Sequence, residues 1–414
     1  MIQHLFKIIW HERKTNAWIV LEFIVVFCIL WFCIDYFYFL GKSYFEYSGY
    51  DDKHTYIVDI SANSLEQEPD EDTQYSITNT LLERIRNYPG VECVSISSAA
   101  IPYAWSSSSW GVRVNNDSTY YTAQVRRVTP DFFKVFKIEF ERGKAFSPYE
   151  SDKELVVFPD RNGKFGEYPN ASINAMDMQT ISYGEKTYNV SGVTQRVRTH
   201  FLDPFYSGIF IPMEKDDISP EQEIVIRVSP QADNTDFVIR FSADMKAQLA
   251  IPPYSFTKLS KISERKEQYF SWRADNNVKS ISAIIIFLVA NILLGIIGTF
   301  WVKVQSHKAE TGLRLALGAS KKQIRWMMLT EALLMLFLAS IVSTYICLNL
   351  GQTEILQGLG IPLADRVMAG IGSGQDFINY IVTFVLLALL SGIAVWFPAK
   401  LSTDMNPADA LREE

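Results

Sequence analysis

"KAETGLRLALGASKKQIRWMMLTEALLM", Lys308–Met335, begins charged and ends as an uninterrupted apolar helix. A charged segment, a small-residue turn and an apolar helix joined without a spacer read as chain lying at a membrane surface. Four windows support that reading: Ala17–Leu40, Ile281–Val302, Trp326–Leu350 and Phe377–Phe397. Each is about as long as the roughly 20 residues needed to cross the hydrocarbon. The overall composition, 48% apolar and 21% charged, looks average because charge is withheld from these windows and concentrated between them. We therefore expect four transmembrane helices. Glu22 and Asp35 fall inside the first window, within about two turns of its ends, where a carboxylate is expected to reach interfacial water. A cleaved signal peptide is the competing reading of the N-terminus. The window is too long and too aromatic for one and lacks a small-x-small cleavage pattern near Gly41.

Lys and Arg in the short segments set the orientation. Met1–Asn16 carries Lys7, Arg13 and Lys14; Lys303–Arg325 carries six basic residues; the tail adds Lys400 and Arg412; Gly351–Asp376 has only Arg366. Both termini and the 303–325 loop are thus expected in the cytoplasm, with Gly41–Ser280 and the 351–376 loop outside. The quoted stretch faces the cytosol. Residues 1–16 place Ile2, Leu5, Phe6 and Ile9 on one helical face, which fits either an interfacial amphipathic helix or a plain extension of the first span.

The exterior segment holds 34 acidic and 27 basic residues and so carries the whole net charge of −7. A mildly acidic ectodomain argues against nucleic acid as a partner. Cys28, Cys33 and Cys347 fall in spans and Cys93 is alone outside, so no internal disulfide is available and the ectodomain must rely on its own core.

Within the ectodomain "HTYIVDIS", "SITNTLLERIRNYPG" and "VECVSISS" read as strand, helix and returning strand, and "EIVIRVSP" followed by "DFVIRFSADMKAQL" repeats strand then helix. One α/β lobe built from both ends of the segment is expected. Between them "ELVVFP", "ISYGEKTYNVSGV" and "GIFIPM" are short β segments, read as a β-rich lobe inserted at about 146–221. "KLSKISERKEQYFSWRADNNVKS" places Leu259, Ile262, Arg265 and Tyr269 at helical spacing and predicts a rigid stalk running into the second span. The fold class expected is an α-helical membrane protein with four spans plus an α+β extracytoplasmic domain.

Catalytic patterns fail. His11-Glu12 lacks the second His of HExxH, there is no GxSxG, and the His residues are scattered at 4, 11, 54, 200 and 307. "WSSSSW", Trp105–Trp110, has no base placed near its serines and reads as a flexible or ligand-brushing loop. The glycines of "RNGKFGEY" have the wrong spacing for a phosphate-binding loop. No catalytic, cofactor-binding or metal residue is assigned, and the chain is not expected to hydrolyse ATP.

In the quoted stretch Glu310 and Arg314 are four apart and can pair, Leu313 and Leu317 form an apolar stripe, and Gly318-Ala319-Ser320 breaks the helix before the basic "KKQIR". These residues fit a short amphipathic helix hinged onto the third span. They fit equally a juxtamembrane loop whose charges only set topology. Small residues that would let helices approach are Gly295 and Gly298 in the second span, Ser340 and Thr344 in the third, and Ala388 and Gly392 in the fourth. With Glu331 near the start of the third span and Asn291 mid-span in the second, no charged pathway crosses the membrane.

"ETGLRLALGAS" followed by an apolar span resembles the signature of FtsX-like permeases of the MacB type. "TPDFFKVFKIEFERGKAF" and "YNVSGV" resemble the periplasmic core domain of that family, and "NPADALREE" its C-terminal tail. The resemblance covers essentially the whole chain. It implies a porter-like α/β lobe with an inserted β lobe, an FtsX-like permease domain over 281–400, and a coupling helix around Glu310–Leu317 that meets an ATPase. MacB carries its nucleotide-binding domain on the same chain. Here the resemblance implies an ATPase on a separate polypeptide, which would bind the ATP and magnesium, and two copies of the permease, identical or merely similar, as a dimer. It further implies a multi-pass protein of the bacterial inner membrane that transmits motion for export, with a periplasmic adaptor and an outer-membrane channel as further partners. The alternative is a regulatory subunit that controls a periplasmic hydrolase or a sensor kinase without transport.

Overall fold

The computed structural model describes residues 13–63, 69–147, 153–166, 172–306, 308–350 and 374–404. Most of the expected N-terminal amphipathic helix, most of the 351–376 loop and the "NPADALREE" tail lie outside them. The chain divides into two compact units, Met1–Lys42 with Asp275–Glu414, and Ser43–Ala274.

The first unit is helical. Helix α1 spans Arg13–Phe45, α6 Asp275–Ser306, α7 Lys308–Ala316, α8 Lys321–Leu350 and α9 Gly374–Asp404. Among the described residues four helical stretches are long and apolar enough to cross a membrane: Asn16–Phe45, Asp275–Val302, Lys321–Leu350 and Phe377–Leu401. Their helical bounds run past the apolar windows at several ends because a helix need not stop where the hydrocarbon does. Leu30, Phe23 and Phe27 of α1, Ile296 and Phe300 of α6, Met335 and Ala339 of α8, and Leu387 and Ala394 of α9 form their common core. The buried face of α8 recurs at Ile324, Met328, Ala332, Met335, Ala339, Ser343 and Cys347, close to the helical repeat. The opposite face carries Phe337, Ile341 and Tyr345, apolar and exposed as lipid contact requires.

The second unit begins with β1 (Thr55–Ala62), α2 (Glu71–Arg86) and β2 (Val91–Ser98), and ends with β12 (Glu223–Val228), α4 (Phe237–Met245) and β13 (Tyr254–Lys261). Asp70 caps α2 by accepting from Thr73 N, and Asn87, Pro89 and Gly90 end it. The strand order β2-β12-β1-β13, with antiparallel pairing throughout, is the split βαβ arrangement. Alternation sends Tyr56, Val58, Ile224, Ile226, Val94 and Ile96 against α2 and α4. Ile57 and Val225 point the other way, into a core with Phe132, Phe133 and Phe136 around the short helix α3 (Phe132–Val135).

Between β2 and β12 lies the insertion. Its strands are β3 (Ser108–Val114), β4 (Tyr120–Val128), β5 (Phe140–Gly143), β6 (Glu154–Phe158), β7 (Lys164–Phe165), β8 (Ile173–Asn174), β9 (Thr180–Tyr183), β10 (Lys186–Thr194) and β11 (Gly208–Pro212). Six of them close into a ring, β4-β3-β9-β10-β6-β11 and back to β4. The insertion thus starts at β3, upstream of the expected 146. In β4 "YTAQVRRV" alternates as a strand does, and Tyr121, Ala123 and Val125 face Leu155, Val157, Ile209 and Ile211 inside the ring. β6 and β11 read as continuous apolar runs because both faces are buried, Val156, Phe158 and Phe210 packing outside the ring.

The predicted stalk is shorter than expected and divided. Leu259 belongs to β13, helix α5 runs over Ile262–Arg273, and Ala274 interrupts before α6. Ile262 and Tyr269 are buried against the ectodomain's own residues.

Candidate functional site

The turn joining α7 to α8 is built entirely from local sequence. Ala319 N donates to Arg314 O at 3.0 Å and Gly318 N to Leu315 O at 3.1 Å, the paired bonds of a Schellman motif. That motif needs a left-handed residue at its turn, and Gly318 supplies φ +97°. Two residues on, Gln323 N donates to Ser320 Oγ at 3.2 Å and Ser320 N to Gln323 Oε1 at 2.9 Å. This reciprocal capping box starts α8. The two helices are therefore joined by four residues whose orphan backbone groups are satisfied at both ends.

Helix α7 presents two distinct faces. Thr311 is buried, Leu315 packs against the helical core, and the Arg314 guanidinium donates to Met327 Sδ at 3.3 Å. Leu313 is 51% exposed and Leu317 79% exposed. The structure thus brings Arg314 and Gly318 into the turn and leaves Leu313 and Leu317 facing outward. The side chain of Glu310, and with it the expected pair with Arg314, lies outside the described residues. The first turn of α8 is tied to the end of α9: Asp404 accepts from Lys321 Nζ at 3.2 Å and from Arg325 at 3.0 Å, and Thr403 Oγ1 accepts from Arg325 Nε at 2.7 Å. Hydrogen bonding to Lys321 holds the Asp404 carboxyl below the usual carboxylate range, helped by the Arg325 charge.

A MacB-like periplasmic core domain matches residues 42–242. An FtsX-like permease C-terminal domain matches residues 281–407, which include this turn. The chain belongs to the FtsX-like permeases of the MacB type. The macrolide export ATP-binding/permease protein MacB of Escherichia coli K12 is 22% identical over 327 residues, which are 74% of this chain and 46% of that protein. The permease therefore spans about half the length of the curated relatives it matches. Among solved structures, the periplasmic region of MacB from Actinobacillus actinomycetemcomitans is similar over 53% of this chain and 94% of its own, at 13% identity and a TM-score of 0.34. A domain of a permease protein from Porphyromonas gingivalis is similar over 52% of this chain and 98% of its own, at 12% identity and a TM-score of 0.33.

Within the permease's helices the small residues take different places. A Cβ on Gly295 would meet Glu22 Oε1 at 2.4 Å, so that glycine permits a close approach of α1 to α6. Gly298 has open space around it, and a Cβ on Gly392 would make an ordinary 3.7 Å contact with Leu329. Ser340 bonds its own helix at Phe337 O, and Ser340 and Thr344 are half-buried. Ala388 is half-buried against the helical core, while Ala332, Ala339 and Ser343 of α8 and Ser391, Ala394 and Ala399 of α9 are fully buried. Tracing the helical phase from Ile324 and Met328 would have selected Ala339 and Ser343.

Two polar residues in the spans are placed otherwise than expected. Asp35 does not reach interfacial water; it is 1% exposed and accepts from Asn379 Nδ2 of α9 at 2.8 Å. Five residues from the end of its apolar window, it is turned toward α9 and not toward water, a direction the sequence of one helix does not show. Sequence reasoning missed Asn379, whose signal is a polar residue one turn inside the fourth span. Glu22, half-buried, accepts from Thr299 Oγ1 at 3.4 Å. In the ectodomain the "WSSSSW" serines belong to the start of β3 and the loop before it, with Ser108 Oγ donating to Val125 O at 2.9 Å.

Proposed function

We propose that this permease is the membrane subunit of an ABC system in which α7 receives motion from a separate ATPase and the helices transmit it to the ectodomain. The observation that carries this is the two-faced α7: one face held to the bundle through Thr311, Leu315 and Arg314, the other offering Leu313 and Leu317. A helix fixed on one side and apolar on the other fits docking into a groove of a partner, as helix-in-groove contacts generally do. The capped turn at Gly318 and Ser320 then links any displacement of α7 to α8 with little slack, and the Asp404 pairs extend the link to α9. In this reading ATP and magnesium belong to the partner, the permease works as a dimer of identical or similar copies, and it resides in a bacterial inner membrane. The work done is export or extraction of a substrate from the periplasm or the outer leaflet, with a periplasmic adaptor and an outer-membrane channel as further partners of an exporter.

The test is recovery of the ATPase with the permease, together with ATP turnover in nanodiscs. Leu317→Asp would set an unpaired carboxylate against the partner, at a cost of several kcal/mol, and recovery of the ATPase is expected to be lost. Gly318→Val forces a β-branched residue into left-handed backbone at φ +97°. That variant is expected to bind the ATPase but to lose the ectodomain's response to ATP. Lys322→Gln is the control and is expected to change neither. Normal recovery of the ATPase with Leu317→Asp would refute the docking role of α7.

A further inference from the structure

An aromatic cluster gathers the two chain ends of the unit Ser43–Ala274. Tyr44, from the last turn of α1, meets Phe201 and Phe270 edge-on, and Phe201 in turn meets Tyr269 of α5. His200 stacks on Tyr269 at 4.5 Å and its Nε2 donates to Ala104 O at 2.9 Å, which fixes the loop that leads to Trp105. Tyr103 in that loop holds a left-handed backbone, φ 62°, and its N donates to Thr199 O at 3.0 Å. The loop is thus constrained from several directions rather than free.

What this scaffold presents outward is apolar. Trp105 is 69% exposed and Trp272 is 63% exposed, their rings in edge contact at 5.9 Å, and Phe45 is 84% exposed. Arg273 places its guanidinium 5.3 Å from the Trp272 ring centroid. Two large exposed indoles in mutual contact are unusual on a water-facing surface. The chain itself says how far they are from the bilayer. Asn277, five residues after Trp272, hydrogen-bonds Tyr36, which lies inside the apolar window of α1. Five residues of chain reach at most about 18 Å, so Trp272 and the Trp105 ring against it are confined to the neighbourhood of the membrane–water boundary. Trp and Tyr partition to that boundary because the ring is apolar and the N–H or O–H still finds a partner, and an adjacent guanidinium suits phosphate.

We infer that Trp105 and Trp272, with Arg273 beside them, form an interfacial anchor that seats the base of the ectodomain in the lipid headgroup region. The inference rests on the membrane-spanning reading of α6 and is independent of any ATPase. It assigns "WSSSSW" a partner: its first tryptophan binds the bilayer, and its serines form the link into β3.

The test is photo-crosslinking of the full permease in nanodiscs of phosphatidylethanolamine and phosphatidylglycerol. Benzoylphenylalanine replaces Trp105, Trp272 or, as an exposed control on α4, Ile239, which is 69% exposed. Mass spectrometry then reads the mass of one phospholipid added to the chain. Lipid adducts at 105 and at 272, several-fold above those at 239, are the expected result. Adducts to a second copy of the chain, no adduct at either position, or equal lipid labelling at 239 would each overturn the anchor.

Discussion

Glu223, the first residue of β12, does not behave as an ordinary surface carboxylate. Its Oε2 accepts from Ser97 Oγ at 2.9 Å, Ala100 N at 3.1 Å and Ile101 N at 3.3 Å, yet burial outweighs these bonds and lifts its carboxyl above the usual range. A carboxyl that binds its proton more readily when folded favours the folded state most at low pH. That contribution fades as pH rises through the folded value. Glu223→Gln imitates the protonated form at every pH. The variant is expected to melt above the wild type near neutral pH, and the gap to close as pH falls toward about 4, the ordinary glutamate range. Thermal scans of the nanodisc-embedded permease across that range read it, and a gap that widened on acidification would refute the assignment. Nothing around Glu223 in sequence signals this: "EIVIRVSP" predicts only a strand, and the three donors come from residues more than a hundred positions earlier. By contrast, Gly318 as a helix-ending glycine was fully legible, because both bonds of its motif span five residues or fewer.

At the level of elements the ectodomain depends on one closure, β11 against β4. It requires close approach at Gly208, where a Cβ would stand 2.3 Å from Gln124 O and 2.3 Å from Phe158 Cζ. Gly208→Val therefore cannot be accommodated by a side-chain shift alone, since one obstacle is backbone. A loss of about 1 to 3 kcal/mol or more is expected. Amide exchange should report it as lost protection in β4 and β11, with β1, β12 and β13 keeping theirs. Gly111→Ala in β3, whose Cβ would meet Tyr120 at an easy 3.4 Å, is the tolerated comparison. Uniform loss of protection, or none, would show that the ring does not depend on this approach. The strands themselves were readable from alternation and turn residues. Their membership is not: an insertion expected at about 146–221 leaves β3 and β4 outside it, because period 2 says which residues share a face but not what that face meets.

For the whole molecule the orientation in the bilayer rests on the Lys and Arg asymmetry, with Lys303–Arg325 basic and Gly351–Asp376 holding only Arg366. A reporter active only outside the cytosol is expected to work within 43–274 and to be silent near Lys308 or after Glu414. Activity near Lys308 would reverse the orientation and remove α7 from the reach of any cytoplasmic ATPase. The four spans and the cap between α7 and α8 followed from the chain alone, because hydrocarbon thickness and backbone capping act on contiguous residues. Their rules are therefore written locally. Folding alone decided that Asp35 meets Asn379 across 344 residues, that Trp105 lies on Trp272, and that β4 closes on β11. Those pairings join segments whose patterns are each complete without the other, so only the packed core chooses between them and the alternatives.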